Sequence, residues 1–362
     1  MRVMTSQPNS AARPAQPVVV SRYDEVRALL ADPALTVPAV PRPPFSLTVA
    51  WLRGAVGRFA DGPVHAVRRA ASVRVLAGLD ERALRAEAFR RAAEHPSPEL
   101  VPVEVLAVAL GVRAEDGARA ARAVAALAPA YLPPATPPSP TTSPVPTAPP
   151  VQTPPPVQTP PPVQTPPPVQ TPPPGQAASP VQGAPRAQAT LAAQAVSPVQ
   201  IASPVQTAPD DAAADAGLAE LSRLLGDPEP ERLAVLAGLL AQACAATAGL
   251  VRNALAADTG PCPVEDLLAE TLRHDPPVRT LRRVAVRQAA GGVPAGATVL
   301  LDVAAANRDP HVFDDPDRFR PGRSPRHLTF GAGPRPCPAE RIALALAAGV
   351  VEAVRRWRGG WK

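Results

Sequence analysis

The chain has 362 residues, with 37 basic side chains against 31 acidic ones and a formal net charge of +6. That charge is arginine scattered among acids (Lys362 is the only lysine), without the basic runs and interleaved aromatics of a nucleic-acid surface. Cys244, Cys262 and Cys337 make neither a disulfide framework nor a C-x-x-C pair. They fit a reducing compartment, and the polar first 17 residues lack the apolar core of a secretion signal. A cytoplasmic protein that binds neither nucleic acid nor membrane is expected.

Residues 1–17 read as a flexible N-terminus. Helical patterns then follow over 23–31, 64–77, 81–94, 101–111 and 115–128, so 18–132 reads as the first part of a folded domain. His65 and Arg69 are four apart and share a helix face. Residues 133–208 break the pattern. Val-Gln-Thr-Pro-Pro-Pro occurs four times between Val151 and Pro174. Such sequence cannot bury a core and is expected to be an extended, disordered, polyproline-like linker.

The second part of the domain, 209–362, opens with helical patterns over 212–225 and 231–256. The latter is apolar enough to rival a membrane span. Its alanine content, its mid-helix Gln242 and Thr247, and the lack of an aromatic belt favour a buried helix instead. A helix over 263–273 carries Glu270 and Arg273, three apart and able to pair. Pro276-Pro277 ends it. Strands are expected around 284–286 and 297–301, joined by a Gly291-Gly292 turn. An Asp/Pro-rich loop spans 307–319. Phe330-Gly331-Ala332-Gly333-Pro334-Arg335-Pro336-Cys337 then leads into a helix over 338–356. A cysteine at a helix mouth beside an arginine is placed to be a thiolate. A thiolate behind a glycine-punctuated loop suits an axial ligand of haem iron.

The series E-x-x-R, Pro-Pro, two strands, N-R-D-P, P-D-R-F and F-G-x-G-x-R-x-C resembles the cytochrome P450 family of haem-thiolate monooxygenases, in its soluble bacterial form, over 264–354. Val19 to Pro33 and Gly62 to Arg69 resemble N-terminal helices of that family more thinly. The resemblance implies a mainly α fold with a small β portion, interrupted by the Pro-rich insertion at the loop joining the two helices over the substrate channel. It implies haem b as cofactor, with Cys337 as axial iron ligand. His65, Arg69, Arg335 and Arg283, with Arg282 as a rival for the last, would reach the haem propionates. Glu270, Arg273 and Arg318 would form a structural triad, and Thr247 would organise oxygen and water. It further implies electrons from NAD(P)H through a ferredoxin and ferredoxin reductase, a small organic substrate, a role in secondary metabolism, and a monomer.

The chain also departs from the family pattern. Ala246 stands where an acid usually precedes the threonine, Cys244 where a glycine is usual, and Ala339 replaces a glycine two residues after the cysteine. The 23 residues from Thr247 to Glu270 leave no room for a connecting helix, and Trp357 to Lys362 is not the strand pair expected near the pocket. These departures keep an alternative open: a degenerate relative acting as a haem-binding or scaffold protein.

Overall fold

The computed structural model describes residues 16–132, 209–258, 260–323 and 327–359. All of these belong to one compact unit built from 1–136 and 206–362. The expectations for 1–15 and for the Pro-rich tract lie outside the described residues.

In chain order the elements are β1 (Val18–Val20), α1 (Tyr23–Ala31), β2 (Leu35–Thr36), α2 (Val49–Ala55), α3 (Gly62–Ala77), α4 (Glu81–Ala92), α5 (Val101–Ala109) and α6 (Gly117–Tyr131). They continue with α7 (Pro209–Leu224), α8 (Pro230–Ala257), α9 (Val264–His274), β3 (Thr280–Ala285), β4 (Thr298–Asp302), α10 (Val303–Ala306) and α11 (Glu340–Gly359). A single 3-10 turn, Gly57–Phe59, precedes α3. The mainly helical fold with a small sheet is therefore present. Every helix expected from the sequence is found, with ends shifted by a few residues. The four-residue α10, the seven-residue α2 and the strands β1 and β2 were not expected.

The sheet order is β1-β4-β3-β2. β1 runs parallel to β4, with Val19 opposite Leu300, and β4 pairs antiparallel with β3, with Arg283 opposite Val299. One face of this sheet packs on α1 through Val26, Leu29, Leu30, Val299 and Leu301. The larger core gathers α4, α5, α6, α7, α9 and α11 around α8. Among the described residues α8 is the one helix long and apolar enough to cross a membrane, and most of it is buried inside this core.

Capping and close packing fix the frame. Asp80 accepts hydrogen bonds from the Arg82 and Ala83 amides and starts α4. Where α11 crosses α4, a Cβ on Gly349 would collide with the Arg85 carbonyl, so the two helices meet backbone to backbone. Arg85 then pairs with Glu352 of α11 and Glu265 of α9.

No helix stands between α8 and α9: only 258–263 separates them. Arg355 of α11 closes this short link. It makes a two-pronged ion pair with Asp258 (2.8 and 2.9 Å) and donates to the Cys262 carbonyl at 2.8 Å. The pair is largely shielded, with side chains 21 % and 17 % exposed. Arg355→Ala is expected to lower stability by about 2 kcal/mol, read as a lower denaturation midpoint with an unchanged slope.

Candidate functional site

The cysteine loop closes on itself. The Cys337 amide donates to the Phe330 carbonyl at 2.7 Å, and the Gly331 amide donates to the Leu328 carbonyl at 2.8 Å. The turn requires φ of +75° at Gly331 and +68° at Gly333. A Cβ on Gly333 would also lie 2.5 Å from the Leu30 carbonyl, so the end of α1 presses directly on the loop. Cys337 sits just ahead of α11, and the Ala339 amide donates to its sulfur.

The expected low thiol pKa does not hold for the free side chain. Burial pushes the Cys337 thiol up, and Glu340 adds to this, against the opposing pull of the Ala339 amide, Arg69 and Arg58. Helix end and cations lose to desolvation. A metal cation on the sulfur would reverse that balance, because metal binding removes the proton.

An uncompensated cationic group faces the same region. Arg69 donates to the Pro336 carbonyl at 2.7 Å, so α3 holds the backbone next to the cysteine. Arg335 donates to the Ala60 carbonyl at 3.0 Å and pairs with Asp61. His65 is half-buried. Desolvation, then Arg335 and Arg69, push its pKa down, while Asp61 opposes them. Alternation along β3 leaves Arg282 exposed and Arg283 half-buried. Arg283 donates to the Arg282 carbonyl, and no acid pairs with it among the described residues. Burial, then Arg58 and Arg335, pull its pKa down to about 10. Arg58, on the turn before α3, belongs to this group and was not foreseen. It lies in a loop without periodicity, and only the fold brings it near Cys337 and Arg283.

Among the described residues, Asp61 pairs with Arg335 and acts on His65, and no acid pairs with Arg58, Arg69 or Arg283. Two helices near them are incompletely covered. Of the sixteen residues of α3 only Leu76 is buried. In the middle of the otherwise buried α8, Gln242, Ala245 and Ala246 form one incompletely covered face. A large, flat group carrying carboxylates and a metal that accepts a thiolate fits these residues.

Since the folded-state pKa of Arg283 lies below its usual value, its charge opposes folding at every pH below about 10, and the penalty fades above that. Arg283→Gln is therefore expected to raise the melting temperature of haem-free protein by about 3–6 °C. The same change should weaken haem binding about tenfold. Calorimetry and a haem titration check the two halves.

Thr247 is buried, and its hydroxyl donates to the Ala243 carbonyl one turn back at 2.7 Å. It shares no hydrogen bond with the cationic group. Cys244 is buried, and burial pushes its thiol up, as for an inert core cysteine.

Glu270 and Arg273, both almost wholly buried, form a two-pronged ion pair at 2.7 and 2.9 Å. Arg273 also donates to the Asn307, Pro316 and Arg318 carbonyls at 3.1, 2.8 and 3.2 Å. The expected third member is corrected. Arg318 is exposed and contributes only its carbonyl, because the turn closed by its amide on Asp315 aims that oxygen inward. The second guanidinium on Glu270 belongs to Arg323, at 3.1 Å. Asn307 adds an unforeseen clamp. Its amide donates to the Leu272 carbonyl and Thr329 hydroxyl, and its oxygen accepts from the Leu328 amide at 2.7 Å. Asp309 accepts from the Tyr23 amide at 3.0 Å. The N-R-D-P stretch therefore ties α9, the cysteine loop and α1 together.

Comparison with known proteins agrees with this geometry. The family model described as Cytochrome P450 matches residues 264–347. Among curated proteins, the chain is similar to Protein DesVIII of Streptomyces venezuelae, 39% identical over 136 residues, 34% of each chain. It is also similar to cytochrome P-450 monooxygenase DoxA of Streptomyces sp. strain C5, 42% identical over 101 residues, 26% of this chain and 24% of DoxA. The matched region spans about a third or less of these relatives' length. Among solved structures, CalO2 superposes with a TM-score of 0.62 at 18% identity, covering 93% of this chain and 82% of CalO2, which is a likeness of fold. A helical frame around a buried central helix, with a cysteine loop locked by an E-x-x-R pair, defines the haem-thiolate class of architecture. Over residues 264–347 the chain is similar to the cytochrome P450 family, and its fold resembles that of CalO2.

Proposed function

We propose that the protein is a haem-thiolate monooxygenase that places one oxygen atom from O2 into a small organic substrate, working as a cytoplasmic monomer in secondary metabolism. The observation that carries this reading is the cysteine loop beside a cationic group with almost no counter-charge. Cys337 would be the axial ligand, and His65, Arg69, Arg283 and Arg335, joined by Arg58, would hold the two carboxylates of haem b. Bound haem would supply oxygen activation, with electrons from NAD(P)H through a ferredoxin and its reductase. The name of DoxA, a monooxygenase, supports the reaction class.

The remaining work falls to this chain's own residues. Glu270, Arg273, Arg323 and Asn307 hold the cysteine loop in place. Thr247 spends its proton on the Ala243 carbonyl, so its oxygen is left to accept from water or substrate. Ala246 offers no proton, and between Glu231 and Asp258 α8 carries no acid at all. Protons must then arrive through water along the uncovered face of α8. Reconstitution with haem b, a ferredoxin, its reductase and NADPH under ¹⁸O2 tests the reading. One labelled oxygen atom per product molecule supports it; NADPH consumption without a labelled product from any substrate tried contradicts it.

A second reading, a haem-binding or scaffold relative without turnover, draws on the missing acid beside Thr247. A scaffold keeps its cellular role in a Cys337→Ala variant; a monooxygenase does not.

A further inference from the structure

α3 is placed by its arginines more than by packing. Only Leu76 of this helix is buried, so little apolar surface fixes it. Arg68 ties it to the end of α2, donating to the Gly54 and Val56 carbonyls at 2.8 and 3.1 Å. The 3-10 turn presses on the same point. A Cβ on Gly57 would lie 3.4 Å from the Arg68 Cβ and from the Arg69 amide nitrogen. Arg69 therefore starts from a fixed stretch of backbone. It sits about 100° further round the helix than Arg68, and its side chain reaches the cysteine loop instead of α2.

The bond made there falls on one particular peptide unit. The Arg69 guanidinium donates to the Pro336 carbonyl at 2.7 Å, in the range of charge-assisted hydrogen bonds. The N–H of the same peptide unit, on Cys337, donates to the Phe330 carbonyl at 2.7 Å. The plane that carries Cys337 is thus held at both ends, by α3 on one side and by its own loop on the other. The ring of Pro336 fixes the φ angle ahead of that plane. Holding the plane limits where the Cys337 sulfur can lie. The two partners of the Arg69 bond stand 267 positions apart in the chain, so the loop's own geometry does not supply it. A guanidinium has five N–H donors. One is spent on Pro336, and no acid among the described residues takes the others.

We propose that Arg69 is a positioning residue for the thiolate: it holds the Pro336–Cys337 peptide so that the sulfur keeps its place on haem iron, while its remaining N–H groups meet a haem carboxylate. Losing Arg69 then loosens the cysteine as well as the cofactor. The effect on the iron ligand rests on the haem-thiolate reading; the hold on the loop does not.

The test compares Arg69→Ala, Arg69→Lys and His65→Gln with the parent by two readouts. The first is hydrogen exchange of the Cys337 amide in haem-free protein. Arg69→Ala is expected to speed it about tenfold, the worth of one hydrogen bond to a charged group. Arg69→Lys keeps a charged donor and should restore most of the protection. His65→Gln should change nothing, because the His65 side chain makes no hydrogen bond to the loop. The second is the carbon monoxide difference spectrum of dithionite-reduced protein saturated with haem b. The share of haem with a thiolate-type Soret band is expected to fall severalfold in Arg69→Ala and to recover in Arg69→Lys. In His65→Gln the share should match the parent, with only more haem needed for saturation. An Arg69 that did no more than hold a carboxylate would follow the His65→Gln pattern. Unchanged exchange at Cys337 in Arg69→Ala overturns the proposal, and so does faster exchange with a full thiolate-type band. A parent without a thiolate-type band contradicts the monooxygenase reading instead, and the exchange result alone then decides the hold on the loop.

Discussion

Glu270→Ala is expected to cost the protein about 3–5 kcal/mol, because it strands two buried guanidiniums, Arg273 and Arg323, without an acid. A domain is typically stable by only about 5–15 kcal/mol, so much of the chain should fail to accumulate folded. The carboxylate also accepts from the Arg320 amide at 2.8 Å, which fixes the loop ahead of the cysteine. Arg323→Ala should be nearly as harmful, whereas Arg318→Ala should lie within about 0.5 kcal/mol of the parent, since its side chain is exposed and only its carbonyl is used. Denaturant unfolding of the three variants decides the matter. A harmful Arg318→Ala beside a silent Arg323→Ala would contradict the assignment.

Ala246→Asp is expected to raise product formed per NADPH consumed by about tenfold or more, because a positioned general acid is worth about 10²–10⁴ in rate. The substitution falls on the incompletely covered face of α8, so it adds a carboxylate without forcing one into the core. Coupling measured as product over NADPH is the readout. An unchanged ratio would show that water on that face already delivers protons as fast as the reaction uses them.

The parts of this protein that could be read from its residues are those in which chemistry and local pattern coincide. The cysteine loop is marked by Gly331 and Gly333, whose positive φ angles the turn requires. Glu270 and Arg273 pair because three residues on a helix place them on one face. The long helices follow from their apolar periodicity. What escaped the sequence depends on distant partners. β2 is two residues long and exists because β3 pairs with it. α2 has seven residues and is started by Thr48, whose hydroxyl accepts from the Trp51 amide, a signal too short to separate from a turn. Arg323 replaces Arg318 at Glu270 because a turn rotates one side chain outward. Arg58 reaches the cationic group only through the fold. The raised pKa of the Cys337 thiol reflects burial, which a helix-start motif does not encode.

The central claim, that Cys337 can present a thiolate to haem iron, is tested most directly by the carbon monoxide difference spectrum of the purified, dithionite-reduced protein beside Cys337→Ala. A thiolate-type Soret band in the parent that disappears in the variant is the predicted result. No haem uptake, or a band of the same shape in both proteins, would contradict it.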